Sequence, residues 1–130
     1  MTSKIIIKGK NIIDIATFYK EINHVFMRNE AWQIAESLDA FNDLLYGGFG
    51  VLKDYKLTEV IWTDAQMSRD ALGYEATKTY YLKKLIPESP FNKKYFRDKL
   101  AELESGTGQT YFDIVIEILH AHANLILIMQ

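Results

Sequence analysis

The stretch AESLDAFNDLLYGGFGVLKDYKLTEVIWT, residues 35–63, decides the fold class of this chain. Its first part, residues 35–46, places apolar side chains at the spacing of one helical face and then stops at Gly47-Gly48. Glycine directly after the last periodic residue is the usual end of a helix. The last part, residues 57–63, is rich in β-branched and aromatic side chains and predicts a strand. A helix closely followed by a strand is typical of an α/β protein.

The same two patterns occur once more toward the N-terminus. Ile5–Ile7 predicts a short strand, and the Lys-Gly-Lys that follows predicts a turn. Residues 12–27 carry apolar side chains three and four positions apart, which predicts an amphipathic helix. Either Asn11 or Asp14 is suited to cap it.

Toward the C-terminus the patterns predict mainly helices. Pro87 and Pro90 mark a break between the predicted helices 66–86 and 91–104. Thr110 is suited to cap the predicted helix 110–121. The uniformly apolar Leu125–Met129 is typical of a strand that is buried on both faces. The predicted helices are 66–86, 91–104 and 110–121.

The predicted order of elements is therefore β-α-α-β-α-(α)-α-β. Strands that are separated by helices cannot form hairpins, so neighbouring strands pair in parallel. We predict a single α/β domain over residues 1–130, with a small three-stranded, mostly parallel sheet and helices packed on it. A chain of this length buries roughly two-thirds of its unfolded surface, which suffices for a core without disulfides.

The composition excludes several classes of protein. The 130 residues are 48% hydrophobic and 25% charged, which is typical of a folded domain and not of a disordered chain. The absence of cysteine excludes disulfides, a thiolate nucleophile and Cys-based metal sites. The formal net charge of −2 argues against non-specific nucleic-acid binding, which requires a basic surface.

The charge is unevenly distributed along the chain. Residues 28–64 hold three basic and seven acidic side chains, whereas residues 76–104 hold seven basic and four acidic ones. The near-neutral total therefore conceals an acidic segment and a basic segment.

The N-terminal sequence MTSKIIIKGK has neither the apolar core nor the cleavage site of a secretory signal. No stretch approaches the roughly 20 apolar residues of a transmembrane helix. We therefore expect a cytoplasmic protein with no membrane contact.

The helix predicted at 35–46 carries a conspicuous polar face. Asp39, Asp43 and Tyr46 follow one another at i, i+4 and i+7, with Asn42 beside them. Two carboxylates four residues apart repel each other by a few tenths of a kcal/mol on an isolated helix, so stability alone would favour a lysine at one position. A purely structural alternative is a solvated face on which Asp39 interacts favourably with the helix dipole.

The dodecapeptide SLDAFNDLLYGG, residues 37–48, resembles the second-helix signature of the barstar family, the intracellular protein inhibitors of barnase-type ribonucleases. The strand and turn KIIIKGK with the helix after it are similar to the opening of that family, and Asp113–Met129 is similar to its end. The positions that match the signature are Leu38, Asp39, Ala40, Asp43, Leu45 and Gly47.

The resemblance implies a stoichiometric inhibitor without catalytic residues, whose second helix enters a nuclease active site. Asp39 and Asp43 match the acidic contacts that take the places of RNA phosphates, and Gly47 matches the glycine that permits close approach. Glu117 matches a contact glutamate on the last long helix, and Trp32 is the nearest match to an aromatic contact before the second helix.

The chain also departs from the family pattern. Asn42 and Tyr46 replace an aromatic and a small hydroxyl residue within the contact set, and Gly48 stands where a second aromatic is expected. Residues 66–105 form a segment that is longer than the corresponding part of a minimal member of the family, and we call this segment the insertion. They carry several aromatic residues and either enlarge the interface or cover a sheet edge.

The resemblance further implies a basic nuclease as partner, no direct binding of nucleic acid, no cofactor, no metal and a monomer when free. Two other functions stay open. One is a protein-interaction or immunity module against a toxin that is not a ribonuclease. The other is a small enzyme that uses Asp39 and Asp43 for acid–base chemistry, which requires a cleft that a convex helix face does not offer.

Other candidate motifs favour structural roles. His120 and His122 are two residues apart, so on a helix they diverge by about 200° and are better interpreted as positive charge at a helix C-terminus than as metal ligands. His24 has no evident partner. The glycine-rich YGGFG and SGTG lack the Lys-Ser/Thr of a phosphate-binding loop and are interpreted as turns.

Overall fold

The computed structural model describes residues 2–130, which form three β-strands and six α-helices. Two short 3-10 helices, Gly9–Asn11 and Val51–Asp54, complete the fold. The strands are β1 (Thr2–Lys8), β2 (Leu57–Thr63) and β3 (Leu125–Met129). The α-helices are α1 (Ile15–Phe26), α2 (Leu38–Leu45), α3 (Ala65–Ala71), α4 (Tyr74–Lys84), α5 (Lys93–Glu104) and α6 (Tyr111–His120).

The strands form one sheet in the order β1-β2-β3, and both pairings are parallel. Val60 in the central strand is aligned with Ile5 on one side and with Leu127 on the other. The predicted α/β class with a small parallel sheet is therefore confirmed. Each strand is followed or preceded by helices because parallel neighbours need a crossover connection.

One face of the sheet forms the core. Ile7 and Trp62 are completely buried on this face. The ring of Phe18 in α1 stacks on Trp62 with centroids 6.1 Å apart, and it meets Phe41 of α2 edge-on at 5.5 Å. Burying an aromatic side chain of this size stabilises the fold by about 1.5–3 kcal/mol, so these contacts hold α2 firmly over the sheet.

The opposite face of the sheet has no buried side chain among the described residues. Ile6 and Ile126 are 46% and 44% exposed there, and Ile61 and Ile128 are half-buried. The prediction that Leu125–Met129 is buried on both faces is therefore wrong, although its assignment as a strand is confirmed. An apolar run indicates a strand but does not show how many of its faces are covered.

The first three predicted elements have their expected positions. Asp14, not Asn11, caps α1 in a capping box with Thr17, and the helix begins at Ile15 rather than at residue 12. Hydrogen bonds from Thr17 lower the pKa of Asp14. Asn11 instead donates its side-chain amide to Glu21 Oε1 at 3.1 Å.

The predicted helix 66–86 is divided into α3 and α4 at Leu72-Gly73. The break leaves the Leu72 carbonyl free to accept the Phe112 N–H at 3.1 Å. The hydroxyl of Thr77 accepts the Tyr111 N–H at 2.7 Å and donates to the Gly73 carbonyl at 2.6 Å. The first amides of a helix lack partners within it, so this tertiary contact completes the start of α6 and explains a break that periodicity does not reveal.

The insertion packs beside the helices and makes its main contacts there. Helices α4 and α5 pack against each other, and α4 also packs against α6. Helix α3, the first helix of the insertion, packs against the 3-10 helix Gly9–Asn11 that follows β1. The enlargement of a partner interface by the insertion stays a prediction. No helix within residues 2–130 has the length and apolar character needed to cross a membrane.

Candidate partner-binding site

Helix α2 is defined at both ends by local interactions. Ser37 Oγ accepts the Ala40 N–H at 3.1 Å and caps the first turn. Gly47 adopts φ 84°, a left-handed conformation that glycine reaches without steric cost, and it ends the helix. The side chains of Phe41, Leu44 and Leu45 are completely buried. The helix therefore has one fixed orientation and one solvent-facing side.

The solvent-facing side of α2 carries Asp39 and Asp43, both of which are exposed. They lie one turn apart, which places their Cβ atoms roughly 6 Å from each other. The ion pairs within residues 2–130 are Lys94–Asp98 and Lys99–Glu102, both on α5. Neither Asp39 nor Asp43 is therefore neutralised by a cation from the described part of the chain.

Glu117 of α6 lies beside this side of α2. A shallow depression of about 250 Å³ is lined by Asp39, Asn42 and Glu117, together with apolar side chains of α2 and α6. Gln109 Nε2 donates to Glu117 Oε2 at 2.7 Å and orients that carboxylate. We call Asp39, Asp43 and Glu117 the acidic face, since the structure places these predicted contact residues on adjoining helices.

Asn42 is held by His122, a residue that no pattern in the sequence identifies as part of the site. His122 Nε2 lies 2.8 Å from Asn42 Oδ1, so the ring donates through Nε2–H. The exposed ring of Tyr46 meets the His122 ring edge-on, with centroids 4.6 Å apart. Asn124 Nδ2 donates to the Leu45 carbonyl at 3.0 Å and satisfies the C-terminal end of α2. These contacts fix α2 against the chain segment between α6 and β3.

The interpretation of His122 as a charge at a helix C-terminus is wrong. Helix α6 ends at His120, which is exposed in its last turn, whereas His122 lies beyond the helix and is 6% exposed. Burial lowers the pKa of His122, because the charged imidazolium loses hydration there. The neutral ring is therefore favoured near pH 7. No spacing in the sequence signals a contact with Asn42, 80 residues away.

Trp32 lies in the loop before α2 and is 48% exposed. Its ring packs on Phe49 with centroids 4.9 Å apart. The loop is held at two points: the Ile34 N–H donates to Asn23 Oδ1 at 2.8 Å, and the Gly50 N–H donates to a Glu30 carboxylate oxygen at 2.9 Å.

Trp32 is not among the residues that line the depression of the acidic face. It lines another shallow depression, with His24, Arg28 and Glu30. The structure thus groups Asp39, Asn42 and Glu117, and places Tyr46 against His122, while Trp32 belongs to a neighbouring surface. No group of three or more metal-ligating side chains within residues 2–130 has the geometry of a metal site.

The expectation that α2 offers no cleft is wrong at its N-terminal end. Asp39 lines a groove of about 590 Å³ whose other walls come from α4, α5 and the segment after α5. We call it the aromatic groove, because the rings of Tyr80, Tyr81, Phe91, Tyr95 and Phe96 line it. Asp43 does not line the groove, so the two aspartates do not face each other across a cleft as an acid–base pair would.

Fold and site together define a small α/β protein with a fixed helix that presents to solvent two carboxylates without a cation partner among residues 2–130. Comparisons of the chain with protein-family models, curated proteins and solved structures gave no match. The features of this chain that bear on its function are the geometry of the acidic face and the sequence motif that forms it.

Proposed function

We propose that this protein is a cytoplasmic, stoichiometric inhibitor of a basic ribonuclease, of the immunity or antitoxin type. The observation that carries the proposal is the acidic face: Asp39 and Asp43 are exposed on a fixed helix and have no cation partner within residues 2–130. The resemblance of residues 37–48 to the second-helix signature of the barstar family supports the same function.

The inhibition follows from charge complementarity. A ribonuclease active site presents Arg, Lys and His side chains to the phosphodiester. The carboxylates of the acidic face accept charge-assisted hydrogen bonds from these cations, which are roughly twice as strong as neutral ones. The carboxylates occupy the places of the RNA phosphates, so substrate is excluded while the protein itself performs no chemistry.

The rigidity of α2 increases the affinity of such a complex. An interface that must first order its side chains loses about 0.5–1.5 kcal/mol for each flexible one. Here the helix is already fixed by the buried Phe41, by the His122–Asn42 hydrogen bond and by the Asn124 contact to its last turn. The backbone that carries Asp39 and Asp43 is therefore ordered before the partner arrives.

The other predicted contact residues have different roles. Tyr46 is 71% exposed beside the acidic face and can bury its ring against the partner as an aromatic anchor. Asn42 has its amide oxygen engaged by His122, so its amide N–H₂ is the group available to a partner. Trp32 on the neighbouring surface provides a second aromatic contact, and Gly47 allows backbone approach at the end of α2.

The proposal is tested by mixing the purified chain with a panel of barnase-type basic ribonucleases and measuring RNA cleavage. For an inhibited enzyme, Asp43→Ala should weaken the complex by more than about 2 kcal/mol, because a desolvated charge pair is lost. The melting temperature should hardly change, since Asp43 is exposed and has no ion-pair partner in the described part of the chain.

Asp54→Ala is the matched control, because Asp54 is also exposed and acidic but lies outside α2. It should leave the affinity close to that of the wild type. Equal losses for the two variants would show a general charge effect and contradict the assigned contact. Tight binding to a partner without a basic catalytic cleft would instead favour an immunity module against another kind of toxin.

A further inference from the structure

The aromatic groove has the size and composition of a site for a small ligand. Its volume of about 590 Å³ lies within the range of pockets that hold small molecules, which are lined mainly by apolar and aromatic side chains. Phe91 and Tyr95 are 47% and 52% exposed, so each has ring surface available to a ligand. A planar aromatic group could stack on either ring.

Lys84 is one of two cations that line this groove, which also has two carboxylates, Asp39 and Glu102. Its Nζ lies 3.8 Å from the ring centroid of Phe91 and 5.1 Å from that of Tyr80. Partial burial lowers the pKa of Lys84. The ion pairs within residues 2–130 do not include Lys84. A partly desolvated ammonium that has no carboxylate of residues 2–130 within ion-pairing distance favours an anionic group on the ligand.

A second cation and a carboxylate lie on the other walls. Lys99 Nζ lies 5.6 Å from the Tyr95 ring centroid and pairs with Glu102 at 3.6 Å. Asp39 lines the groove from α2, close enough that its charge contributes to a raised pKa of Tyr80, of which burial is the main cause. Asp39 can only accept hydrogen bonds when ionised, so it favours ligand N–H groups.

We propose that the aromatic groove binds a nucleoside monophosphate. The base stacks on the ring of Tyr95, since Lys84 Nζ already lies over the Phe91 ring; the phosphate accepts hydrogen bonds from Lys84, and an exocyclic amino group of the base donates to Asp39. This activity goes beyond nuclease inhibition, although the two sites share Asp39. It also differs from binding a nucleic-acid strand, which the net charge of −2 disfavours.

The pattern of ligands that bind is the first test, measured by isothermal titration calorimetry on the full chain. AMP and CMP, which carry an exocyclic amino group, should bind with saturable heats, and UMP should bind more weakly because it lacks that group. Adenosine without phosphate and inorganic phosphate without a ring should each bind at least about tenfold more weakly than AMP. Absence of AMP binding at millimolar concentration, or equal binding of inorganic phosphate, would overturn the proposal.

Variants locate the site. Lys84→Met should weaken AMP binding by at least about tenfold, because a charge-assisted hydrogen bond is lost. Lys83→Met removes the same charge from the adjacent, exposed position and should leave AMP binding unchanged. If the melting curve shows that Lys84→Met is unfolded, AMP binding is measured with Tyr95→Ala, on the exposed side of the groove, instead. This variant should also bind AMP more weakly than the wild type. Equal AMP affinity of the wild type and the folded groove variant would overturn the site.

The contribution of Asp39 is tested separately. Asp39→Asn should bring the affinities for AMP and UMP closer together, because the amide can both donate and accept and no longer selects for an amino group. A difference between AMP and UMP that is unchanged in this variant would contradict the assigned contact.

Discussion

At the scale of single residues, His122 makes the clearest prediction. It is buried and donates to Asn42 at 2.8 Å. Because burial lowers the pKa of His122, the unfolded chain takes up this proton at a higher pH than the folded protein does. The histidine contribution to the free energy of unfolding is therefore complete above the unfolded pKa of about 6.5 and is lost as the pH falls toward the lower folded pKa.

His122→Gln should remove this part of the pH dependence, because glutamine does not titrate and still offers an N–H to Asn42. Urea unfolding at about pH 7.5 and about pH 5.5 measures this pH dependence. The free energy of unfolding should fall more between the two pH values in the wild type than in the variant. His120→Gln, at an exposed position, is the control and should behave as the wild type does. Equal losses in the wild type and in His122→Gln would contradict the prediction.

At the scale of elements, the junction between α4 and α6 depends on one hydroxyl group. Thr77 is completely buried, accepts the Tyr111 N–H and donates to the Gly73 carbonyl. Thr77→Val keeps the shape and removes the hydroxyl, which leaves a buried amide without its acceptor. The free energy of unfolding should fall by about 1–3 kcal/mol, as measured by urea unfolding.

Thr79→Val on the exposed side of the same helix is the control and should change stability by less than about 0.5 kcal/mol. Thr77→Ser should recover most of the loss, because it restores the hydroxyl. A Thr77→Val protein as stable as Thr79→Val would show that the amide finds another partner.

The division into α3 and α4 also shows where prediction from the sequence stops. Strands and the helices α1, α2 and α6 follow from periodicity and from local caps such as Thr110. The break at Leu72-Gly73 does not follow from periodicity, and the Leu72 carbonyl that it frees is paired with the N–H of Phe112, a residue distant in the chain. Interactions between distant residues override the local preference for helix where a backbone group of one element must pair with a backbone group of another.

The residues of the site likewise divide into those that the sequence predicts and those that it does not. Asp39 and Asp43 are predictable, because a four-residue spacing places two side chains on one side of a helix. The proximity of Glu117 follows only from the resemblance, since β2 and the whole insertion separate α2 from α6 along the chain. His122 and the aromatic groove were not predicted, because both depend on how the helices pack and neither leaves a local pattern.

At the scale of the whole molecule, the structure relates the acidic and basic segments to each other. Residues 28–64 have a surplus of acidic side chains and residues 76–104 a surplus of basic ones. The basic α4 and α5 form the wall of the groove opposite Asp39, so opposite charges lie side by side. Under the proposed function, a basic nuclease would meet an attractive surface at α2 that the positive charges of the neighbouring helices partly oppose.

This arrangement predicts how the association with an inhibited ribonuclease depends on salt. Attraction between exposed charges acts over about 30 Å at 0.01 M salt and about 8 Å at 0.15 M. The association rate constant, measured by stopped flow, should therefore fall by at least about tenfold between these two conditions. Lys94 is an exposed cation on α5, and its only ion-pair partner within residues 2–130 is Asp98. Lys94→Gln removes a positive charge that repels a basic nuclease, so it should raise the association rate constant at low salt. A rate constant independent of salt would show that the acidic face does not guide the encounter, and a decrease in Lys94→Gln would show that α5 contacts an acidic part of the partner.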